Sequence, residues 1–220
     1  MIHDLAIYGA GGFGREMAVM VGQINADKKR WNVLGFFDDG KKFGEIVDGI
    51  PVIGGMKEIN QFKNSLSVMV ALADPFIRKA VVSRVMNDRI VYPVFIHPRA
   101  ISSASSNRIA RGCIITAGCI LTTGITLHDF VIVNLSTTMG HDVTIGKFSS
   151  VMPGCNISGN VSIGENTLIG TGAQILQNLS IGNNCKVGAG AVITKSFGDG
   201  LTLVGVPGKR LNTGNRLKCR

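Results

Sequence analysis

The sequence predicts two parts: an α/β N-terminal domain with a small parallel sheet, followed by a parallel β-helix of hexapeptide repeats. Three observations support this interpretation. Strands alternate with helices before residue 94, an aliphatic residue occupies every sixth position from 109 to 193, and glycine and asparagine recur near the predicted turns. We place the domain boundary between positions 94 and 95, giving residues 1–94 and 95–220.

The composition is that of a globular protein. Of its 220 residues, 45% are hydrophobic and 17% are charged. No apolar run reaches the roughly 18 residues needed to span a bilayer, and the first residues lack the basic and apolar regions of a signal peptide. We therefore expect a cytoplasmic protein with no membrane span. Five cysteines without a CxxC pair argue against disulfides and against a zinc site built from cysteines.

The net charge of +9 is unevenly distributed. Residues 1–98 hold 12 basic and 10 acidic side chains, whereas residues 143–220 hold 8 basic and 2 acidic ones. The C-terminal half therefore favours an anionic partner. Because the sequence shows no basic helix and no interleaved basic and aromatic residues, we expect a phosphate-bearing small molecule and no nucleic acid.

The first predicted elements are a strand at residues 5–8, a glycine-rich turn and a helix from Arg15. Gly9, Gly11 and Gly14 satisfy the G-x-G-x-x-G pattern of Rossmann-like dinucleotide-binding folds. The unit is too short for a second mononucleotide-binding half, which argues against NAD. The glycines and the helix N-terminus can hold any phosphate or polar ligand.

Two further strands are predicted in the N-terminal domain. "NVLGFFDD" ends in Asp38 and Asp39, and "LSVMVALAD" ends in Asp74 before the helix "PFIRKAVVSRV". This alternation predicts a parallel sheet of three or four strands, with its ligand site at the carboxyl ends of the strands.

The six-residue repeat is the strongest pattern in the sequence. An α-helix would spread positions six apart around its circumference, so the period predicts short strands joined by tight turns, with three hexads in each triangular coil. Fifteen matches without a slip argue against a chance run in an ordinary sandwich. Small or β-branched residues follow four positions after most anchors, among them four cysteines. The anchors are Ile109, Ile115, Leu121, Leu127, Val133, Met139, Ile145, Val151, Ile157, Ile163, Ile169, Ile175, Ile181, Val187 and Ile193.

The hexapeptide run and the ending "LVGVPGKR" at residues 203–210 resemble the left-handed β-helix acyltransferases. With the small domain in front, the chain resembles the bacterial sugar acetyltransferases, which act on sialic acid hydroxyls or on nucleotide-linked 4-amino sugars. The resemblance implies a left-handed helix, acetyl-CoA as cosubstrate, no metal, and a homotrimer with sites between subunits. Gly208 stands where the family's closing segment usually has alanine.

The resemblance also implies that the N-terminal domain holds a nucleotide sugar. Phe13 stands where the family's glycine loop commonly has histidine. For Asp38 and Asp39, a solvated turn remains an alternative. The implied substrate-binding residues are Gly11, Gly12, Phe13, Asp38, Asp39 and Ala73.

The same resemblance places the catalytic histidine at His141, in "MGHDVTIG". The family motif has an acid on each side of this histidine, but here Gly140 replaces the first and only Asp142 remains. Imidazole is suited to take a proton from an attacking amine or hydroxyl, and a neighbouring carboxylate can fix its tautomer. Gly159 lies 18 positions further along, so it stacks on the same corner, and the family places its oxyanion donor there.

Residue matching to the family implies acetyl-CoA contacts at Ser150, Thr171, Ala189 and Lys209. Ser150 stands where the family has histidine. The basic tail is a candidate for contact with the CoA phosphates, with a frayed solvated terminus as the alternative. It contains Lys209, Arg210, Arg216, Lys218 and Arg220.

The leading hypothesis is an acetyl-CoA-dependent N-acetyltransferase that acts on a nucleotide-linked amino sugar in surface glycan biosynthesis. The alternatives are an O-acetyltransferase of sialic acid or a related sugar, and a non-catalytic nucleotide-sugar-binding subunit. An NAD-linked oxidoreductase would need a substrate domain that a β-helix does not resemble. His97, His128 and His141 do not have the spacing of a three-histidine metal site, and a structural surface role is the other alternative for His141.

Overall fold

The computed structural model describes residues 2–211, and its N-terminal part is a mixed α/β unit. Its elements are β1 His3–Tyr8, α1 Gly12–Asp27, β2 Trp31–Phe37, β3 Ile46–Val47, β4 Ile50–Gly54, α2 Met56–Asn60, β5 Leu66–Val70, α3 Pro75–Arg84 and β6 Ile90–Val91. The sheet order is β3-β4-β2-β1-β5-β6. Only the β3–β4 pair is antiparallel among these strands.

Helix α1 begins three residues earlier than the sequence predicted, at Gly12 instead of Arg15. The amide of Arg15 donates to the carbonyl of Gly11 at 3.0 Å, so the second half of the glycine pattern already forms the first helical turn. A Cβ on Gly14 would collide with the carbonyl oxygen of Gly9. Glycine at position 14 therefore lets the helix start tight against the turn.

The sheet has six strands where the sequence predicted three or four. The central strands β2, β1 and β5 are parallel, as predicted. The additional strands include the hairpin β3–β4, whose turn residues Asp48 and Gly49 both have positive φ, at 48° and 80°. Strands β3 and β6 have two residues each, which is too short to show a hydrophobic period.

Helix α3 has a conventional start. The carboxylate of Asp74 accepts hydrogen bonds from the amides of Phe76 at 2.9 Å and Ile77 at 3.0 Å, and Pro75 occupies the first helical position. The carboxyl end of β5 therefore leads directly into a capped helix. Residues 71–74 form the short connection between the two.

The remainder of the described chain is a solenoid with three faces. The first face contains β7 Phe95–Ile96, β10 Ile114–Ile115, β13 Ile132–Val133, β16 Ser150–Val151, β19 Leu168–Ile169, β22 Lys186–Val187, β24 Thr202–Val204 and β25 Lys209–Arg210. The second contains β8 Ile101–Ser102, β11 Ile120–Leu121, β14 Thr138–Met139, β17 Asn156–Ile157, β20 Gln174–Ile175 and β23 Val192–Ile193. The third contains β9 Arg108–Ile109, β12 Thr126–Leu127, β15 Thr144–Ile145, β18 Ser162–Ile163 and β21 Ser180–Ile181.

The strand register confirms the predicted coil of three hexads. Ile114 pairs with Ile132 and Thr138 pairs with Asn156, so paired residues are 18 positions apart. From β10 to β23 each two-residue strand sends its second side chain inward, and every anchor from 115 to 193 is buried. The four cysteines of the repeat, Cys113, Cys119, Cys155 and Cys185, are also core residues, with at most 2% of each exposed.

Three corners join the faces. The first corner leads from the first face to the second, the second corner from the second face to the third, and the third corner from the third face back to the first.

The N-terminal domain packs on the first face, because the outward side chains of Phe95, Ile114 and Ile132 share an apolar cluster with Leu5 and Met17. The first face is thus covered by the chain's own N-terminal domain over its first coils.

Within residues 2–211 we find no helix with the length and apolarity required to cross a bilayer. Three residues of the predicted basic tail, Arg216, Lys218 and Arg220, lie outside the described residues.

Candidate active site

His141 lies on the second corner, between β14 and β15, with its side chain 65% exposed. Its Nδ1 is 2.8 Å from Oδ2 of Asp142. An ionised carboxylate can only accept, so this contact assigns the proton to Nδ1 and leaves the lone pair of Nε2 free. Asp142 has φ of +60°, the left-handed conformation that short polar residues adopt most readily at such corners. The pair has the geometry of an oriented imidazole base.

The imidazole of His141 lies directly over Gly159, as the 18-residue spacing predicted. A Cβ on Gly159 would collide with the ring at Nε2, Cε1 and Cδ2. The amide of Asn160 donates to the carbonyl of His141 at 2.7 Å, which joins the two coils at this point. Among residues 2–211, the amide of Gly159 donates to no acceptor within hydrogen-bond distance. A free N–H beside the imidazole is the arrangement that an oxyanion requires.

Gly140, which stands where the family motif has its first acid, packs closely against the next coil. A Cβ at this position would lie 2.7 Å from the amide nitrogen of Gly159. Such an approach is closer than real Cβ contacts allow, so a larger residue would force the corner to shift. Glycine at 140 therefore leaves the amide of Gly159 uncovered.

Thr171 and Ala189 stack on each other, as predicted, but at the first corner. The amide of Gly190 donates to the carbonyl of Thr171 at 2.8 Å, and both side chains are exposed. His141 lies at the opposite edge of the second face. The width of that face is one six-residue repeat, or about 20 Å of extended chain. One chain therefore does not bring His141 together with these residues. Lys209 is exposed in β25, next to the end of the first face.

Ser150 is in a different environment from the one that the resemblance implies. Its side chain is fully buried, and its hydroxyl donates to the carbonyl of Ala73 at 2.7 Å. It also accepts a hydrogen bond from Nη2 of Arg78 at 2.9 Å. Because the hydroxyl is enclosed between the two domains, it is not available to acetyl-CoA. We remove Ser150 from the candidate cofactor residues for this reason.

The glycine turn borders a cleft of about 460 Å³. An added Cβ at Gly11 or Gly12 would meet no atom within 4 Å, so packing inside the chain does not demand glycine there. Phe13 packs partly buried against the apolar cluster of the domain. The cleft also has charged walls, formed by Arg15, Lys41, Glu45 and Asp48.

Asp38 and Asp39 hold the carboxyl ends of the strands in place. Asp38 accepts hydrogen bonds from the amides of Ala10 at 2.7 Å and Gly40 at 2.8 Å. Asp39 accepts from the Tyr8 hydroxyl at 2.9 Å and, at the start of α2, from the amide of Met56 at 2.7 Å. Burial and the Asp39 carboxylate raise the pKa of Tyr8 well above its usual value. Both carboxylates therefore support the backbone at the carboxyl ends of the strands. They line a separate cleft of about 250 Å³, which shares Lys41 with the cleft at the glycine turn.

Arg78 is a residue that the sequence reasoning missed. It lies on the buried face of α3 and is 1% exposed. Burial lowers the pKa of its guanidinium to about 9, which leaves it charged at neutral pH. In the sequence, its place among the apolar positions of "PFIRKAVVSRV" was the available indication, since a charge on an apolar helix face needs buried partners.

The residues described by the structure contain no group of three or more histidine, cysteine or acidic side chains arranged to hold a metal ion. His97 is instead used between the domains. Its Nε2 is 2.8 Å from Oε1 of Gln23, and its Nδ1 accepts from the amide of Arg99 at 2.9 Å. Burial, followed by the charge of Arg99, lowers the pKa of His97. The neutral imidazole thus joins α1 to the first coil.

Comparison with known proteins gives matches over both parts of the chain. The PglD N-terminal domain model matches residues 4–85, and the bacterial transferase hexapeptide model of six repeats matches residues 160–195. No curated protein matches the chain.

Several solved structures are similar to nearly the whole chain. The acetyltransferase domain of PglB from Neisseria gonorrhoeae FA1090 is 34% identical, with a TM-score of 0.86 over 95% of this chain and 100% of that one. It has also been solved in complex with acetyl coenzyme A. PerB from Caulobacter crescentus, in complex with CoA and GDP-perosamine, is 26% identical, with a TM-score of 0.86 over 96% and 99% of the two chains. WeeI from Acinetobacter baumannii AYE is 29% identical, with a TM-score of 0.84 over 95% and 100%.

Proposed function

The chain belongs to the left-handed β-helix, hexapeptide-repeat sugar acetyltransferases, and from this premise we propose that it acetylates the amino group of a nucleotide-linked amino sugar. Acetyl-CoA is the cosubstrate of this family. We propose three further points: that the acceptor is an amine, that the sugar is linked to a nucleotide, and that the residues named below carry out the reaction. The observation that carries it is the placement of the His141 imidazole, oriented by Asp142, beside the free amide of Gly159.

In the proposed reaction, Nε2 of His141 takes a proton from the sugar amine as its nitrogen attacks the thioester carbonyl. The carbonyl oxygen becomes an oxyanion, which the amide of Gly159 stabilises. The carbon–sulfur bond then breaks, and the imidazolium returns the proton to the departing thiolate of CoA. Asp142 holds the ring in the correct tautomer and stabilises its charged form.

The cleft at the glycine turn is the proposed site of the nucleotide sugar. Gly11 and Gly12 face open space, so their lack of side chains fits the close approach of a ligand to the backbone. Asp38, Asp39 and Ala73 border the carboxyl ends of the same strands, where ligands bind in open α/β sheets. PerB binds GDP-perosamine, which makes a GDP-linked 4-amino sugar the first substrate to test.

We also propose that the active site lies between chains of a homotrimer. The chain's own N-terminal domain covers the first face, whereas His141 occupies the corner opposite that face. A sugar held in the N-terminal cleft therefore faces away from the His141 of its own chain. Thr171 and Ala189 lie at the first corner and are proposed acetyl-CoA contacts, with Lys209 toward the CoA phosphates. We place the reaction in the cytoplasm, as a step in surface glycan synthesis.

The proposed function is tested by following thiol release from acetyl-CoA with UDP-, GDP- and dTDP-linked 4-amino sugars and with free sialic acid. We expect rapid release with one nucleotide-linked amino sugar and an amide in the product, identified by mass spectrometry. The matched control is the corresponding nucleotide sugar with a hydroxyl at the position of the amine. Acetylation of that control or of sialic acid at a comparable rate would instead establish O-acetylation, and no release with any acceptor would favour a non-catalytic subunit.

A further inference from the structure

The two domains are joined through a buried guanidinium. Nε of Arg78 donates to the carbonyl of Phe130 at 3.0 Å, and Nη2 donates to the carbonyl of Phe148 at 2.6 Å. Nη1 donates to the carbonyl of Leu72 at 2.5 Å and of Ala73 at 3.2 Å. One side chain of α3 thus contacts two successive coils of the solenoid and the connection after β5.

The acceptors around Arg78 are neutral oxygens. Among the described residues, no carboxylate forms an ion pair with it. A buried charge of this kind is tolerated only when its donors are satisfied, and its removal leaves several carbonyls without partners. A fully bonded polar network of this kind can fix one arrangement of the groups that it joins, whatever its net contribution to the free energy of unfolding.

Ser150 links Arg78 to the connection after β5. Its hydroxyl accepts from Arg78 and donates to the carbonyl of Ala73, so three groups from two domains bond to one another. We call Arg78, Ser150 and residues 72–74 the interdomain joint. Leu72 abuts the glycine turn, because a Cβ on Gly9 would lie 3.0 Å from its side chain and 2.9 Å from the carbonyl oxygen of the preceding Ala71. The joint therefore reaches the backbone that borders the proposed sugar cleft.

The solenoid side of the joint is also unusual. Phe130 and Phe148 occupy the left-handed position of the third corner, with φ of 60° and 59°. The coils beside them place Gly112, Asn166 and Asn184 at this position. An aromatic residue there is strained by roughly 1–2 kcal/mol. The two rings stack at 5.1 Å and pack with the apolar cluster that includes Val81 of α3, so the docked domain compensates the strain.

We propose that Arg78 and Ser150 are positioning residues that fix residues 72–74, and with them the bound nucleotide sugar, against the solenoid. This inference rests on the proposed function. Neither side chain touches acetyl-CoA in this scheme. They set the position of the sugar amine. That position must match the histidine of a neighbouring chain to within a few tenths of an ångström.

The test uses Ser150→Ala and Arg78→Lys in the full-length chain, with Lys79→Met, an exposed residue on the same helix, as the matched control. Three quantities are measured: kcat and KM for the nucleotide sugar, the Kd of acetyl-CoA by calorimetry, and hydrogen exchange of peptides covering residues 70–76. For Ser150→Ala we expect about a 5- to 10-fold loss in kcat/KM for the sugar, the size of one buried hydrogen bond. Exchange should rise in residues 70–76, and the Kd of acetyl-CoA should change less than twofold.

Arg78→Lys should have the same effects, only larger, because an ammonium cannot bridge acceptors spread around a planar guanidinium. If this variant fails to fold, Ser150→Ala decides the question, since it removes only one oxygen. A Kd of acetyl-CoA that rises as much as the sugar KM would overturn the proposal and return Ser150 to the cofactor site. Unchanged sugar kinetics and exchange in a folded variant would overturn it as well.

The two proposals fail separately. If the wild-type chain acetylates no nucleotide sugar, the proposed function is wrong, whereas the exchange of residues 70–76 still reports whether the joint holds that segment. If the joint holds this segment, residues 70–76 should lose protection from exchange in Ser150→Ala and keep it in Lys79→Met.

Discussion

At the scale of single residues, the site depends on which neighbours are glycine. Gly140 leaves space over the amide of Gly159, and Gly159, on the next coil, leaves space under the imidazole of His141. His141 itself is exposed at a corner and contributes little to the core. Substitutions of His141 should therefore change catalysis without changing the fold, whereas an added methyl at 159 should displace the ring.

Replacing His141 with Asn should lower kcat by about 100-fold or more and leave the thermal midpoint of unfolding nearly unchanged, because a general base is lost from an exposed corner. His128→Asn is the matched control, since His128 is an exposed histidine on a neighbouring corner of the solenoid. Asp142→Asn should reduce kcat less than His141→Asn, because the imidazole remains. Near-full activity in a folded His141→Asn chain would remove His141 from the mechanism.

At the scale of elements, the turn before α1 is built for a ligand more than for packing. Gly9 and Gly14 are needed by the backbone, since Gly9 has φ of +103° and a Cβ on Gly14 would strike Gly9. Gly11 and Gly12 have no such need. Within one six-residue pattern, therefore, the structure separates glycines required by the fold from glycines that face the cleft.

Gly11→Val should weaken binding of the nucleotide sugar by at least about 10-fold, because a branched side chain blocks backbone approach at the helix N-terminus. The Kd of acetyl-CoA should stay nearly constant, and calorimetry measures both. Gly22→Val serves as control, because Gly22 is exposed on the same helix with no atom within 4 Å of an added Cβ. Equal loss of both affinities would show that the turn is structural.

At the scale of the whole molecule, the domain interface contains two titratable groups with different consequences. Arg78 stays charged at neutral pH, whereas His97 is held neutral between Gln23 and Arg99. Because burial lowers the pKa of His97 in the folded state, the unfolded chain binds a proton more readily as the pH falls through about 6.5. The interface should loosen on acidification.

The free energy of unfolding should therefore decrease between pH 8 and pH 5.5, and His97→Gln should show a smaller decrease. The stability linked to His97 is fully present above its unfolded pKa and is lost progressively as the pH falls toward its lowered folded value. Urea midpoints at the two pH values measure the effect. This range lies above the titration of Glu45 and Glu58, whose pKa values are lowered by hydrogen bonds. Parallel curves for the two proteins would contradict the assignment.

The position of the N-terminal domain opposite His141 leads to a prediction for mixed assemblies. We expect a trimer by light scattering. His141→Asn and Gly11→Val chains are mixed in equal amounts, and subunit exchange is verified. About a quarter of all sites should then combine an unaltered His141 from one chain with an unaltered glycine turn from its neighbour. Activity near that fraction supports a shared site. No recovery would mean that each site lies within one chain.

The sequence predicted the solenoid well because its repeat constrains every coil in the same way. The anchors, the corner of His141 and its stacking on Gly159 all follow from the 18-residue period. The N-terminal domain was less predictable, since strands of two residues carry no period and α1 begins within the glycine pattern. Ser150 occupies an outward repeat position, and only the docked domain decides whether such a position is solvent or interior. Local sequence does not contain that information.

The cysteines inside the solenoid have a consequence for oxidation and labelling. All four thiols are buried in the core, and burial raises the pKa of Cys119, of Cys113 to about 12 and of Cys155 to about 11. A thiolate must attack a peroxide or an alkylating reagent for the side chain to react, so these buried thiols should remain reduced and unlabelled while the chain is folded. With Cys219, which lies outside the described residues, replaced by serine, a thiol-reactive dye in the reaction mixture should report only the coenzyme released at each turnover. Continuous colorimetry then needs no prior blocking of the enzyme, and a rising background would itself register unfolding.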